Sequence, residues 1–420
     1  MLWGGRLWRH PDFLKLWGGQ TISQIGSQLT VLALPTVAVL QLHRGAFEVG
    51  VLIALQRIPF PLLALIAGVW VDRVRRRPLM IAADVLRALA LASIPIAAFA
   101  NALTLLQLYA VALLMGLGSV LFDVAYLAYM PSLVGPADLV EGNTKLEVTY
   151  SVAGLAGPGL GGLLIQLLGA AKTLSADALS FVVSVVTLAW IRRSETPAQP
   201  AADLLTKSRP SLVADLREGL ELVFSNPLLR NQLVALTLLA LGFHLVDPVL
   251  YVWAYRDLHL TPAILGLTFT IGGAAGLVGA VMSASAVRLV GLGPLMAGCL
   301  AIAALAYLLL PTAAILSPVP VLFGVYAVVG LFDTMFNINQ VSLRQGITPN
   351  RLQGRMNASF RTIFWGAWPI ANLIGGVLGS SIGPVPTILL GGSIGMLSAV
   401  AIALGPIGRL RQHPVAAPAA

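Results

Sequence analysis

Twelve times along this chain an apolar stretch of about 20 residues returns, the length a helix needs to cross the hydrocarbon core of a bilayer. The stretches fall near 13–40, 47–71, 79–100, 104–131, 146–168, 173–191, 227–252, 262–287, 293–311, 318–344, 357–381 and 385–406. No soluble fold can bury so many. An ordinary soluble domain is about a quarter charged, whereas Asp, Glu, Lys and Arg make up 10% of this chain and apolar residues 57%. The expected fold is an all-α polytopic membrane protein of 12 transmembrane helices. Spans and short turns use up nearly the whole length, so no separate catalytic domain, and no enzyme, is expected.

A formal net charge of +9 would suit a nucleic-acid binder, but in a polytopic chain basic excess reports topology. With the N-terminus inside, the inner loops and helix ends collect Arg6, Arg9 and Lys15, Arg73 and Arg75 to Arg77, Arg192, Arg193, and onward to Arg409 and Arg411. The outer loops hold only Arg44, Lys172 and Arg256. The pattern predicts a plasma (inner) membrane protein with both termini cytoplasmic and no nucleic-acid partner. The first span reads as a retained anchor rather than a signal peptide. The lone Cys299 allows no internal disulfide.

The longest polar interval, "RRSETPAQPAADLLTKSRP", has linker composition. After it, Leu212, Val213, Leu216, Leu220, Val223 and Phe224 recur at helical spacing opposite Asp215, Arg217, Glu218 and Glu221. That is an amphipathic helix, expected on the inner membrane surface or as a solvated linker. The flanking halves read as copies. "HPDFL" at His10 answers "NPLLR" at Asn226, and "AFEVGVL" at Ala46 answers "PAILGLT" at Pro262, both 216 positions on. "LFDVAY" at Leu121 answers "LFDTMF" at Leu331, and "GGLL" at Gly161 answers "GGVL" at Gly375. Residues 1–192 are read as an N-terminal six-helix bundle, 193–225 as a cytoplasmic linker and 226–420 as a C-terminal six-helix bundle. Such repeats are the building blocks of rocking transporters.

Polar side chains in a bilayer are costly and normally face a bundle interior or an aqueous cavity. Span 10 carries Asp333, Asn337, Gln340 and Arg344 on one helical face, and span 4 the matching Ser119, Asp123, Tyr126 and Met130. Span 1 offers Gln20, Gln24 and Gln28; span 7 offers Thr237, His244, Asp247 and Tyr251. Spans 3, 9 and 12 read as far blander. The rows suggest a central cavity lined by spans 1, 4, 7 and 10, although the same side chains could simply hydrogen-bond between helices. Asp123, Asp333 and Asp247 are the proton-coupling candidates, because an intramembrane carboxylate is the type of group that takes up and gives back a proton. Arg57, in mid-span 2, is a candidate charge partner or anion contact; it could also snorkel. No metal-ligand cluster, catalytic triad or phosphate-cradling loop stands out, and no cofactor is expected.

Two further stretches carry a family signature. "GVWVDRVRRRPLM" between spans 2 and 3 resembles motif A of the major facilitator superfamily, with Gly68, Asp72, Arg73, Arg76 and Arg77 matching and Arg75 replacing a glycine. "AGLAGPGLGGLL" in span 5 resembles the end of motif C of exporting antiporters through Gly157, Pro158, Gly161 and Gly162. The arginine of motif B is missing from span 4. "GQTISQIGSQLTVLALP" and "RMNASFRTIFWGAWPIANLIGG" look most like the branch of bacterial macrolide-efflux and enterobactin-exporter proteins. The resemblance implies alternating access by two bundles. It also implies an inner latch, in which Asp72 docks at the N-terminal end of span 11 with Arg361 as a second partner. At the offset of 216 the residue equivalent to Asp72 is Arg288, so the latch is expected on one side only.

The function expected on this basis is secondary active transport, as proton-coupled export of amphiphilic drug-like, macrolide-like or siderophore-like compounds. The expected partners are a small amphiphilic substrate, protons and the bilayer, with the chain a monomer. A lipid or lysolipid flippase of the same fold is the alternative, and a non-transporting scaffold or receptor the reading from another class.

Overall fold

The computed structural model describes residues 5–71, 74–192, 212–412 and 414. Among them are twelve helices long and apolar enough to cross a membrane, and no strand. They are Pro11–Gln41, Ala46–Leu63, Arg76–Phe99, Leu105–Val134, Pro136–Leu168, Ala170–Ala189, Pro227–Asp257, Pro262–Val290, Leu292–Ala314, Pro318–Ile347, Asn350–Ser381 and Pro384–Leu404, here spans 1 to 12.

Most ends agree with the hydropathy reading to within a few residues. Span 5 starts ten residues earlier than expected, because its polar first turns are helical. Glu141 pairs with Lys145 at 3.6 Å, and Lys145 sits 3.9 Å over the ring of Trp8. A charged segment that finds such partners at a helix end continues the helix instead of closing a loop. Span 2 is not one rod. Helix Ala46–Arg57 stops at Ile58 and a second helix, Pro59–Val71, begins there and carries span 2 beyond Leu63 to Val71. Pro59 and Pro61 remove two backbone donors there, so Arg57, expected in mid-span, is an exposed residue at a helix break.

The two copies repeat in backbone detail. His10 caps span 1 by accepting from the Phe13 amide at 3.1 Å, and Asn226 caps span 7 by accepting from the Leu229 amide at 3.3 Å; proline follows each cap. Both spans end in a π turn, Val37–Gln41 and Trp253–Asp257. Beyond each stands a histidine in the left-handed region, His43 at φ 52° and His259 at φ 51°. Non-glycine residues rarely adopt that conformation. In each copy the amide after the histidine closes back onto the helix, Arg44 to the Ala38 carbonyl at 2.9 Å and Leu260 to Ala254 at 2.8 Å. Every one of these pairs is separated by the same 216 positions.

The chain divides into two compact units. The first comprises Met1–Arg44, Leu55–Arg209 and Thr261–Thr270, the second Gly45–Ala54, Pro210–Leu260 and Ile271–Ala420. Each takes in the first turns of span 2 or span 8 through glycine contacts. In unit 1, a β-carbon on Gly162 would lie 2.3 Å from the Pro262 carbonyl oxygen, and one on Gly266 2.2 Å from that of Pro158. In unit 2 the counterparts are Gly376 against Ala46 at 2.9 Å and Gly50 against the Asn372 carbonyl at 2.5 Å. In lipid, where burial of apolar surface gives no drive to associate, such backbone approach holds helices together.

Gly375 makes a tight test of this packing. Its β-carbon would sit 2.0 Å from the backbone oxygen of Leu245, an atom that cannot swing away. Gly375→Val is expected to lower stability by at least about 1–3 kcal/mol, the usual cost of overpacking, measured as a drop in melting temperature in detergent. An unchanged melting temperature would mean that spans 7 and 11 do not pack as described.

Unit 1 is cored by Phe13, Leu16, Met80, Phe122 and Leu188, and unit 2 by Leu229, Leu233, Met296, Phe336 and Phe360. The linker helix Leu212–Ser225 lies on protein. A β-carbon at Gly219 would be 2.5 Å from the Arg355 carbonyl oxygen, Val223 is fully buried, and Glu218 pairs with Arg355 at the start of span 11.

Candidate functional site

Unit 2 gathers three of the titratable residues singled out from sequence. His244 and Asp247, one helical turn apart on span 7, approach to 2.7 Å between Nδ1 and Oδ2. Both are partly exposed, at 24% and 39% of their side chains. Asp333 of span 10 lies within electrostatic reach of His244. The histidine ring stacks on Trp368 of span 11 at 4.2 Å between centroids. Tyr307 and Tyr326, whose hydroxyls hydrogen-bond, lie within electrostatic reach of Asp247, and Tyr307 also stacks on Phe243 at 4.4 Å. The result is an acid-rich patch with aromatic walls, built from spans 7, 9, 10 and 11.

The remaining members of the span-10 row go different ways. Asn337 is exposed, while Gln340 is 5% exposed and tied into packing. Its carbonyl oxygen accepts from the Gln232 side chain at 2.8 Å, and its own amide donates to Asn337 at 2.8 Å. Arg344 lies over Phe360 at 4.7 Å and Arg361 over Trp365 at 4.6 Å.

In unit 1, Gln20 is buried and donates to the Ser184 hydroxyl at 3.1 Å. Gln24 and Gln28 are half-buried, and Gln28 fills the space left by the missing side chain of Gly157, whose β-carbon would lie 2.3 Å from Gln28 Cβ. Gly161 abuts Leu29 in the same way at 3.4 Å. Pro158 lies inside the span-5 helix. Asp123 is half-buried within electrostatic reach of Tyr126 and Tyr150. Tyr126 is buried and stacks on Phe122 at 5.9 Å.

Of the loop signature, Asp72 and Arg73 lie outside the described residues, and Gly68 falls within the second helix of span 2. Arg76 opens span 3. Arg77 donates from Nε to the Leu188 carbonyl at 2.8 Å and from Nη2 to Ala189. A cation thus caps the carbonyl end of span 6, where the helix dipole is negative.

The expectation that span 3 is bland is overturned. Asp84 is 0% exposed and Arg87 6%; they pair one turn apart. Arg87 is clasped between Phe122 at 4.7 Å and Phe181 at 4.3 Å. Beside it Asp177 of span 6, also 0% exposed, accepts hydrogen bonds from Thr30 and, at 2.9 Å, from Ser180. The signal was present in sequence, since an acid and an arginine three apart inside an apolar span form a pair on one helix face.

Among the described residues no group of three or more His, Cys, Asp or Glu is arranged to hold a metal ion.

Twelve apolar helices in two matched sets, with polar and titratable side chains gathered inside each unit, define a multi-pass membrane transporter. Residues 16–371 match the family model of the Major Facilitator Superfamily. The chain belongs to that superfamily, a family of transporters and not of enzymes. It is 28% identical to the multidrug efflux pump Tap of Mycolicibacterium fortuitum over 392 residues, covering 91% of this chain and 92% of that one. It is 25% identical to the enterobactin exporter EntS of Salmonella choleraesuis over 427 residues, covering 96% and 95%. In fold it is similar to a bacterial homologue of the iron transporter ferroportin in its inward-facing state, with a TM-score of 0.74 at 19% identity, covering 95% of this chain and 99% of that one.

Proposed function

We propose that this protein exports small amphiphilic organic molecules across the cell membrane by alternating access, in exchange for protons. The observation that carries this reading is the His244, Asp247 and Asp333 group of unit 2. With His244 protonated and both carboxyls ionised the group carries one net negative charge, and one more proton neutralises it. A cationic or hydrogen-bonding substrate and a proton then compete for the same partly exposed carboxylates. Competition of this kind is the minimal requirement for exchange. The aromatic walls supply apolar and cation–π contact for an organic substrate. The efflux and export activities in the names of the relatives support the direction of transport.

In this reading both termini are cytoplasmic, residues 1–192 and 226–420 are the two functional repeats joined by 193–225, and a monomer is sufficient. The test is transport by the full chain in proteoliposomes under an imposed pH gradient, with ethidium, erythromycin and a catecholate siderophore as probes. Uptake of at least one probe that rises with the gradient and collapses on its dissipation is expected. Transport indifferent to the gradient would overturn proton exchange. Failure to move any of the three, with translocation of labelled lysolipid instead, would overturn the substrate class.

A further inference from the structure

The Asp84, Arg87 and Asp177 cluster of unit 1 brings two carboxyl groups and one guanidinium into a space that excludes solvent. We propose that Asp177 is a proton-binding site, neutral in the resting protein, and that it exchanges its proton during transport. The second half of this proposal rests on the proton-coupled reading above; the first half does not.

If both carboxyls were ionised, the cluster would hold one uncompensated negative charge in hydrocarbon, the state that proteins avoid by taking up a proton. Geometry decides which carboxyl takes it. Arg87 donates to Asp84 Oδ1, so Asp84 has a cation in contact. The hydrogen-bond partners of Asp177 are the neutral hydroxyls of Thr30 and Ser180. A hydroxyl can donate to a carboxylate or accept from a carboxylic acid, so Asp177 is hydrogen-bonded in either state.

The surroundings supply no other compensation. Span 1 presents Gln20 and Thr30, span 4 presents Phe122, and span 6 presents Ser180, Ser184 and Phe181. Tyr150 of span 5 is within electrostatic reach of Arg87. Arg87 and Asp84 are therefore the charged groups facing Asp177 among the described residues. Span 1 closes over the carboxyl at Gly26, whose β-carbon would be 2.5 Å from Asp177 Oδ1. Span 1 lies directly on the carboxyl there, and its displacement would admit water. The proton is then taken from water on one side of the membrane and returned to water on the other, with no change in covalent structure.

The experiment uses the full chain in nanodiscs with carboxyl-labelled aspartate, read by infrared spectroscopy at pH 7. A carbonyl stretch of a protonated aspartate is expected in the wild type, lost in Asp177→Asn and retained in Asp12→Asn. A wild type without such a band, or a band unchanged in Asp177→Asn, would overturn the protonation. If Asp177→Asn does not fold, Thr30→Val serves instead, since loss of the hydroxyl partner must shift the band; an unshifted band counts against the site. In proteoliposomes, Asp177→Asn is expected to bind ethidium as the wild type does but to lose the increase in rate on imposing the gradient. Retention of that increase with the band absent would overturn the exchange while leaving the protonation standing. A wild type indifferent to the gradient would remove the exchange as well, and the infrared result would still decide who holds the proton.

Discussion

Replacing Arg87 by leucine is expected to cost about 3–5 kcal/mol of stability, the range for stripping one partner from a buried ion pair. Asp84 is 0% exposed, and its contact cation would be gone. Packing would suffer as well, because the guanidinium fills the gap between Phe122 and Phe181, and a β-carbon on Gly118 would be only 2.7 Å from Arg87 Cγ. A conservative Arg87→Lys change does not rescue fully, since an ammonium cannot both reach Asp84 and stack flat between two rings. The pair itself is not a large source of stability. Arg87 Nε and Asp84 Oδ2 have no hydrogen-bond partner among the described residues, and a half-satisfied buried network is inferior to an apolar one. The triple change Asp84→Leu, Arg87→Met and Asp177→Leu is therefore expected to recover most of the stability that Arg87→Leu loses. Thermal unfolding in detergent, read by size-exclusion chromatography, measures both. An Arg87→Leu protein as stable as the wild type would show that the cluster is not closed to water.

Much of this architecture can be read from composition alone. Twelve apolar stretches in 420 residues permit little else, and the 216-residue offset already pairs His10 with Asn226 and Ala46 with Pro262. That offset proves accurate down to single backbone torsions, at His43 and His259. Neighbours are harder to read, because a helical face gives a direction and not the residue met there. Gln20 and Gln28 lie on one face of span 1, yet the first bonds Ser184 and the second fills a glycine gap in span 5. Gln340 shares a face with Asp333 but is held by Gln232. Asp84, Arg87 and Asp177 are overlooked for a different reason. Asp84 and Arg87 form a pair on one face of span 3 and Asp177 shares a face with Ser180 and Ser184 of span 6, but what joins them is the meeting of helices far apart in the chain. Arg77 illustrates the same limit in a loop, where a basic motif reads as a surface anchor until the free carbonyls of span 6 are placed beside it.

Asp333→Asn is expected to reduce gradient-driven transport by at least about tenfold, the factor set by 1.4 kcal/mol, while the protein remains folded. Asparagine keeps the shape and a hydrogen-bonding tip but cannot bind and release a proton. Asp333 is half-buried and faces His244 across spans 7 and 10, so the amide is accommodated without a cavity. The exchange arithmetic then changes. Without the Asp333 carboxylate, one proton held between His244 and Asp247 already balances the group, and an arriving proton finds no uncompensated charge. Transport down the substrate's own gradient should survive, because the aromatic walls of Phe243, Tyr307 and Trp368 are untouched. Asp247→Asn differs in a diagnostic way. It also breaks the 2.7 Å contact that orients the histidine, so it should weaken ethidium binding as well as coupling. Initial rates with and without a pH gradient, alongside equilibrium binding of ethidium, separate the two variants. If Asp333→Asn responds to the gradient as the wild type does, the coupling proton does not pass through Asp333, and if Asp247→Asn does so too it does not pass through unit 2 and the carboxyls of unit 1 carry it.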